Sequence, residues 1–109
     1  MSIVRPTYYV YFVTGASLGR ILYIGVTSNL VTRIEAHRCG SADGFTARYR
    51  LWKLVHVEAF TYVRDAISRE KQLKVWKRER KIALIDSVNP DWVELDARSA
   101  LGRRRLPTW

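Results

Sequence analysis

The chain has 109 residues, 48% of them apolar and 12% aromatic: enough for one small hydrophobic core and too much for a disordered segment. Nineteen Lys and Arg stand against ten Asp and Glu, a net charge of +9 with a pI near 10.2, so polyanions are the expected partners, nucleic acid first and an anionic membrane surface second. The single cysteine, Cys39, excludes an internal disulfide and a cysteine-based zinc site, and no apolar run approaches the ~18 residues of a membrane span. No secretory signal is read at the N-terminus, and a reducing cytoplasm is the expected location.

Residues 7–13 are aromatic and β-branched throughout and read as a buried strand. Turn residues follow at 14–19, and 21–26 reads as a second strand, so the two form a hairpin. Gly25 inside that strand marks a bulge or the close approach of another group. Thr27, Ser28 and Asn29 are all suitable N-caps for a helix over 29–38, in which Leu30, Ile34 and His37 share one face with Arg33 beside them. Residues 39–47 read as a loop and 52–60 as a third strand. On that strand His56 is expected on the face opposite Val55 and Val57, in a structural or solvent-facing role. Asp65 is a candidate cap for a helix to about residue 79, with a shorter one over Lys81–Asp86 ended by Asn89-Pro90-Asp91.

The expected fold is α/β (α+β): a small three-stranded, mainly antiparallel sheet flanked by helices, in the order β-β-α-β-α-α. One domain over 1–98 and a basic tail over 99–109, with Arg103-Arg104-Arg105, are expected. No repeat, glycine-rich phosphate loop or zinc-ligand cluster is present in the sequence.

Four kinds of residue can carry chemistry. Tyr11 and Tyr23 lie in the two hairpin strands, where tyrosine commonly serves as cross-strand filler. Arg33 and His37 are four apart on one helix face and can converge, or can be a solvated polar edge. Glu70 falls between Ala66 and Ile67 on one side and Leu73 on the other. A carboxylate in an apolar stripe needs a cation, either a metal or an ion-pair partner such as Arg69 or Lys74. The tryptophans Trp52, Trp76, Trp92 and Trp109 read as packing rather than as base-stacking platforms.

Taken together these positions have a recognisable spacing. Tyr9-Val10-Tyr11, Tyr23-Ile24-Gly25, Arg33 ten residues after Tyr23, His37 four further on and a helical Glu70 resemble the GIY-YIG nuclease superfamily, most closely its small single-domain bacterial members. The resemblance covers about residues 7–96 and includes Leu22–Leu30, Gly44-Phe45-Thr46 and Arg69–Lys74. Tyr9 replaces the glycine of the first triplet and is expected to pack. The asparagine that many members carry some 12 to 15 residues after the glutamate is missing from Ile82–Ile85, and Asn89, beyond that window, receives no role.

The resemblance implies metal-dependent hydrolysis of phosphodiester bonds in DNA, structure-directed or of low sequence specificity, with DNA repair or recombination as a setting. Glu70 would ligate Mg²⁺ or Mn²⁺, and Arg33 would hold the scissile phosphate with its fork of donors. Tyr11 and Tyr23 would flank the attacking water, one of them as general base. A free phenol titrates near ~10, and Arg33 and the cation would lower it. His37 would orient the water or a phenol, or accept its proton. Arg48, Arg50, Lys53, Lys74, Lys77, Arg78, Arg80 and Lys81 would position the DNA backbone. No room remains for a recognition domain, so DNA shape or a targeting protein would direct cutting. A nucleic-acid-binding module that does not cut is the alternative. A membrane-surface protein is disfavoured because Glu70 interrupts the apolar side of its helix.

Overall fold

The computed structural model describes residues 7–15, 21–42 and 44–100. Strand β1 (Tyr8–Thr14) is almost wholly buried, as its unbroken apolar and aromatic run dictates. It is the central strand, with β2 (Leu22–Thr27) on one side and β3 (Lys53–Phe60) on the other, both antiparallel. The predicted sheet and element order hold, with two short helices added.

Because β1 is central, its alternating side chains build two cores. Val10 and Phe12 join Ile24, Val55, Ala66, Leu73, Ile85 and Trp92 on one face. Tyr9, Tyr11 and Val13 join Leu30, Ile34, Leu51 and Leu54 on the other. Helices α3 (Val63–Lys74) and α4 (Arg78–Val88) supply the first core, and α1 (Leu30–Cys39) supplies the second. Burial raises the Tyr9 phenol above its ordinary pKa, against the weaker opposing hydrogen bond from Thr7, which suits the packing role expected of it.

Asn29 is the N-cap of α1, its Oδ1 accepting from the Thr32 amide at 3.1 Å. Leu30, Ile34 and His37 are its buried residues, as their spacing predicts. Gly40 ends the helix in the left-handed conformation, at φ 78°.

Four expectations need correction. The segment expected as a loop over 39–47 contains helix α2 (Gly44–Tyr49), whose only buried side chain is Thr46. The helix expected over 65–79 starts earlier and stops at Lys74; Tyr62, with no side-chain cap bond, precedes it, and Asp65 lies inside its first turn. The chain breaks at 75–77, where Trp76 lies under the Arg80 guanidinium at 3.9 Å and near that of Arg69 at 5.3 Å. The second helix, α4, is correspondingly longer than Lys81–Asp86.

The last correction concerns β3. Phe12 pairs with His56 but Val13 pairs with Leu54, so Val55 is an extra, bulged residue. Val55 therefore packs in the same core as Phe12, on which His56 stacks edge-on at 5.1 Å, and His56 shares a face with Val55 rather than opposing it. Asn89 meets the carbonyl of Val55 with its amide at 3.1 Å, and bonds both Val93 O (3.0 Å) and Val93 N (3.1 Å). This buried side chain is thus a structural clasp between the end of α4, the bulge and the following turn.

The segment after Asn89 returns to the second core. Leu95 N donates to Leu54 O at 2.8 Å, and Arg38 pairs with Glu94. The expected boundary at residues 98 and 99 falls within α5 (Ala97–Ala100), and the rest of the basic tail lies outside the described residues. Among the described residues no helix is long and apolar enough to cross a membrane.

Candidate active site

The ring-lined face of the sheet gathers three of the expected residues. In register, Tyr23 lies opposite Val13 and Gly25 opposite Tyr11, so both phenols belong to the face that α1 covers. His37, two turns into α1, points between them. Its Nε2 shares a hydrogen bond of 2.9 Å with the Tyr11 hydroxyl. Its ring centroid is 5.5 Å from each phenol, and the phenols are 6.4 Å apart.

Gly25 explains how the rings fit. A Cβ at that position would stand 2.5 Å from the Tyr11 hydroxyl oxygen and 2.6 Å from Cζ. No side chain larger than hydrogen lets the phenol lie across β2 and reach His37. The close approach expected at this glycine is therefore that of Tyr11 itself.

Exposure divides the two phenols. Tyr11 is 1% exposed and His37 3% exposed, whereas Tyr23 is only partly buried. Arg33, one turn before His37, is partly buried, and its guanidinium forms no ion pair with a carboxylate among the described residues. A half-buried cation without a carboxylate is suited to an anionic ligand.

Glu70 approaches from elsewhere. It lies on α3, in the stripe of Ala66 and Leu73 that packs on the opposite face of the sheet. Its side chain is 14% exposed and pairs with Lys74 at 2.8 Å. The ion-pair alternative read from the sequence is thus realised in the free protein. Strands β2 and β3 are both sheet edges, so a site that united Glu70 with the phenols would have to reach around an edge strand.

Among the described residues no group of three or more His, Cys, Asp and Glu side chains could cage a metal ion. Glu70 alone is a hard oxygen donor in a partly buried position. That fits an ion such as Mg²⁺, which keeps much of its water shell and takes one or two carboxylates, provided that Lys74 yields.

Sequence reasoning missed what fixes α3. The Arg69 guanidinium donates to both Glu58 oxygens on β3, at 2.7 and 3.1 Å, and His56 Nε2 lies 2.9 Å from the same carboxylate. Burial pushes the Glu58 carboxyl up, but the hydrogen bonds and charges of His56 and Arg69 outweigh it and leave its pKa at about 2. The same carboxylate raises the pKa of Arg69. Glu70 follows directly in sequence, so this bridge sets the rotation of the helix that presents it.

The expected backbone-binding cations fall into two groups. Arg48 and Arg50 belong to α2 and its end, with Lys53 opening β3. Lys74, Lys77 and Arg78 cluster where α3 gives way to α4. Arg80 is engaged with Trp76, and Lys81 Nζ donates to Lys74 O at 3.3 Å. The sequence reading also passed over Phe45, whose ring lies 6.4 Å from Tyr23, and Tyr49, 5.0 Å from Phe45.

Comparison with known proteins identifies the family. The family described as the GIY-YIG catalytic domain matches residues 7–83. A UPF0213 protein of Clostridium perfringens is 42% identical over 66 residues, 61% of this chain and 71% of that protein. Others are 35% identical in Pediococcus pentosaceus, over 69% of this chain and 79% of the relative, and 33% identical in Haloquadratum walsbyi, over 72% and 86%. No solved structure matches. With the match spanning both tyrosine strands, α1 and α3, the chain belongs to the GIY-YIG family, whose catalytic domains are nucleases.

Proposed function

We propose that this chain is a metal-dependent endonuclease that hydrolyses phosphodiester bonds in DNA, directed by DNA shape or of low sequence specificity. The observation that carries the reading is the Tyr11–His37–Tyr23 cluster over Gly25, with the carboxylate-free Arg33 guanidinium one helical turn from His37. Nucleases of the family generally depend on a divalent metal, and the net charge of +9 suits a polyanionic substrate.

Arg33 grips two oxygens of the scissile phosphate with its planar fork. Tyr23 is the phenol that meets the attacking water, because it is the partly exposed one. Tyr11 and His37 hold each other behind it and fix where Tyr23 and the water can lie. Glu70, paired with Lys74 here, is the carboxylate that would hold Mg²⁺ or Mn²⁺. When bound, such an ion stabilises the charge that develops on the phosphoryl and leaving oxygens. The two cationic groups position the backbone and read no bases. Branched or damaged DNA in repair or recombination, with a partner protein choosing the location, is the cellular setting this chemistry serves.

The test is incubation with supercoiled plasmid and with branched duplexes, with Mg²⁺ and with Mn²⁺. Nicking by the parent and none by Glu70→Gln or Tyr23→Phe is the expected outcome. The Lys74–Glu70 pair and the covered Tyr11 hydroxyl also suit a module that binds DNA without cutting. Tight binding with no cleavage by pure protein under either ion would establish that second reading instead.

A further inference from the structure

Helix α2 is built the wrong way round for packing. Its one buried side chain is Thr46, while its two aromatic rings face outward, Phe45 at 46% and Tyr49 at 44% exposure. An amphipathic helix that served only the core would bury the rings and expose the threonine. The rings are also ordered. They stand four residues apart, one helical turn, with centroids 5.0 Å apart, and Phe45 lies 6.4 Å from Tyr23 at an interplanar angle of 30°. A track of ring faces thus leads outward from the phenol that meets the attacking water.

Charge tells what would lie on that track. The Arg48 guanidinium stands 5.8 Å from the Tyr49 ring, and the run from Gly44 to Leu54 carries Arg48, Arg50 and Lys53 with no carboxylate. A second copy of the chain, docked by symmetry, would set these cations against their equivalents. A nucleic acid brings flat rings for the aromatic faces and phosphates for the cations. Bases stacked within a duplex have no free face to offer; unpaired bases do.

We infer that Phe45 and Tyr49 form a stacking site for unpaired nucleobases flanking the scissile phosphate, so the preferred substrate is single-stranded DNA or DNA with an unpaired flank at the cut. The placement of the scissile phosphate rests on the nuclease reading above; the stacking site itself does not. Phe45, next to Tyr23, takes the base nearest the cut, Tyr49 takes the next, and Arg48 neutralises the phosphate between them.

The experiment measures binding in the Glu70→Gln background, so that nothing is cleaved. Fluorescence anisotropy follows a labelled 15-nucleotide single strand, a blunt duplex and a fork. Phe45→Ala with Tyr49→Ala is expected to weaken the single strand and the fork by about tenfold or more, as the loss of one to two stacked bases requires, and the duplex by less than about twofold. Phe45→Leu, which keeps apolar volume without a ring, should weaken single-strand binding in the same direction, and Phe45→Trp should retain it, so a folding defect is told apart from loss of stacking. A 2-aminopurine base in the single strand should be quenched by the parent and not by the double variant.

Equal losses on all three DNAs, or no loss, would overturn the stacking site. So would sedimentation showing that the double variant changes the protein's mass rather than its DNA affinity, since the patch would then be a contact between copies. The two readings fail separately: single-strand binding that needs both rings in a protein that never cuts would leave the stacking site standing and the nuclease reading fallen, and cutting of blunt duplex that ignores both rings would do the reverse.

Discussion

The two faces of the sheet solve opposite problems with the same central strand. On the α3 and α4 face the polar groups are spent on holding elements together: Arg69 clasps Glu58, His56 joins them, and Asn89 ties α4 to the bulge. On the α1 face the polar groups are held in place but face one another across a cluster of rings, with Tyr11 on His37 and Arg33 unclaimed by any described carboxylate. The first face is a fixture and the second, on the proposed reading, an instrument that Glu70 of the first would serve. The contrast lies in what the polar groups of each face meet, not in how many there are.

The strongest way to break this comparison is Glu70→Gln. It should lower the cleavage rate by on the order of 1,000-fold or more while the dissociation constant for DNA changes less than about twofold, because the ion's stabilisation is lost and the cationic surface stays. Near-parental turnover in that variant would mean that α3 contributes nothing to the reaction. Arg33→Lys is next, with an expected loss of about 100-fold in rate, since a point charge does not replace the fork. Single-turnover kinetics measure it, and an unimpaired variant would reduce Arg33 to surface charge.

Stability measurements sharpen the contrast between the faces. Gly25→Ala drives a methyl group into the Tyr11 ring and should destabilise the fold by about 1–3 kcal/mol in urea titration, with a change in tyrosine near-ultraviolet dichroism. An unchanged midpoint would show that the phenol does not lie across β2. Glu58→Gln acts on the other face and through pH. The native carboxyl sits at about 2 against an ordinary 4.5, so its contribution is complete above about pH 4.5 and drains away as pH falls toward 2. The partly exposed pair is expected to contribute on the order of 1–2 kcal/mol, and the variant's stability should vary less with pH across that window. The smallest effect is Arg50→Gly. Arg50 holds φ 55°, so glycine should add about 1 kcal/mol of stability while DNA affinity falls, exchanging function for relief of strain.

The sequence made the instrument more legible than the fixture. Tyr11, Tyr23, Arg33 and His37 lie within 27 residues; strand alternation puts both phenols on one face and helical spacing puts Arg33 one turn from His37, with no knowledge of the tertiary fold. Glu70 was legible as a carboxylate in an apolar stripe, though not its place on the sheet face opposite the phenols. The Glu58–Arg69 bridge has no local signal, because two surface-type residues 11 apart meet only after β3 and α3 have packed. Helix α2 was hidden because its lone inward residue is a threonine, which leaves no apolar period to read. The break after Lys74 was hidden because neither glycine nor proline marks it; the stacking of Trp76 with Arg80 does.

The bulge at Val55 bears on how this sheet tolerates changes in chain length. Side chains along a strand obey odd–even parity, and Val55 breaks it once, leaving Leu54 and Val57 on one side although they are three apart. Deleting Val55 would restore simple parity and keep Leu54, His56 and Val57 on their present sides, and deleting His56, which shares the face of Val55, would do the same for Leu54, Val55 and Val57. The damage from deleting Val55 would surface 34 residues away, where Asn89 loses its carbonyl partner and the turn that carries Trp92 loses its anchor.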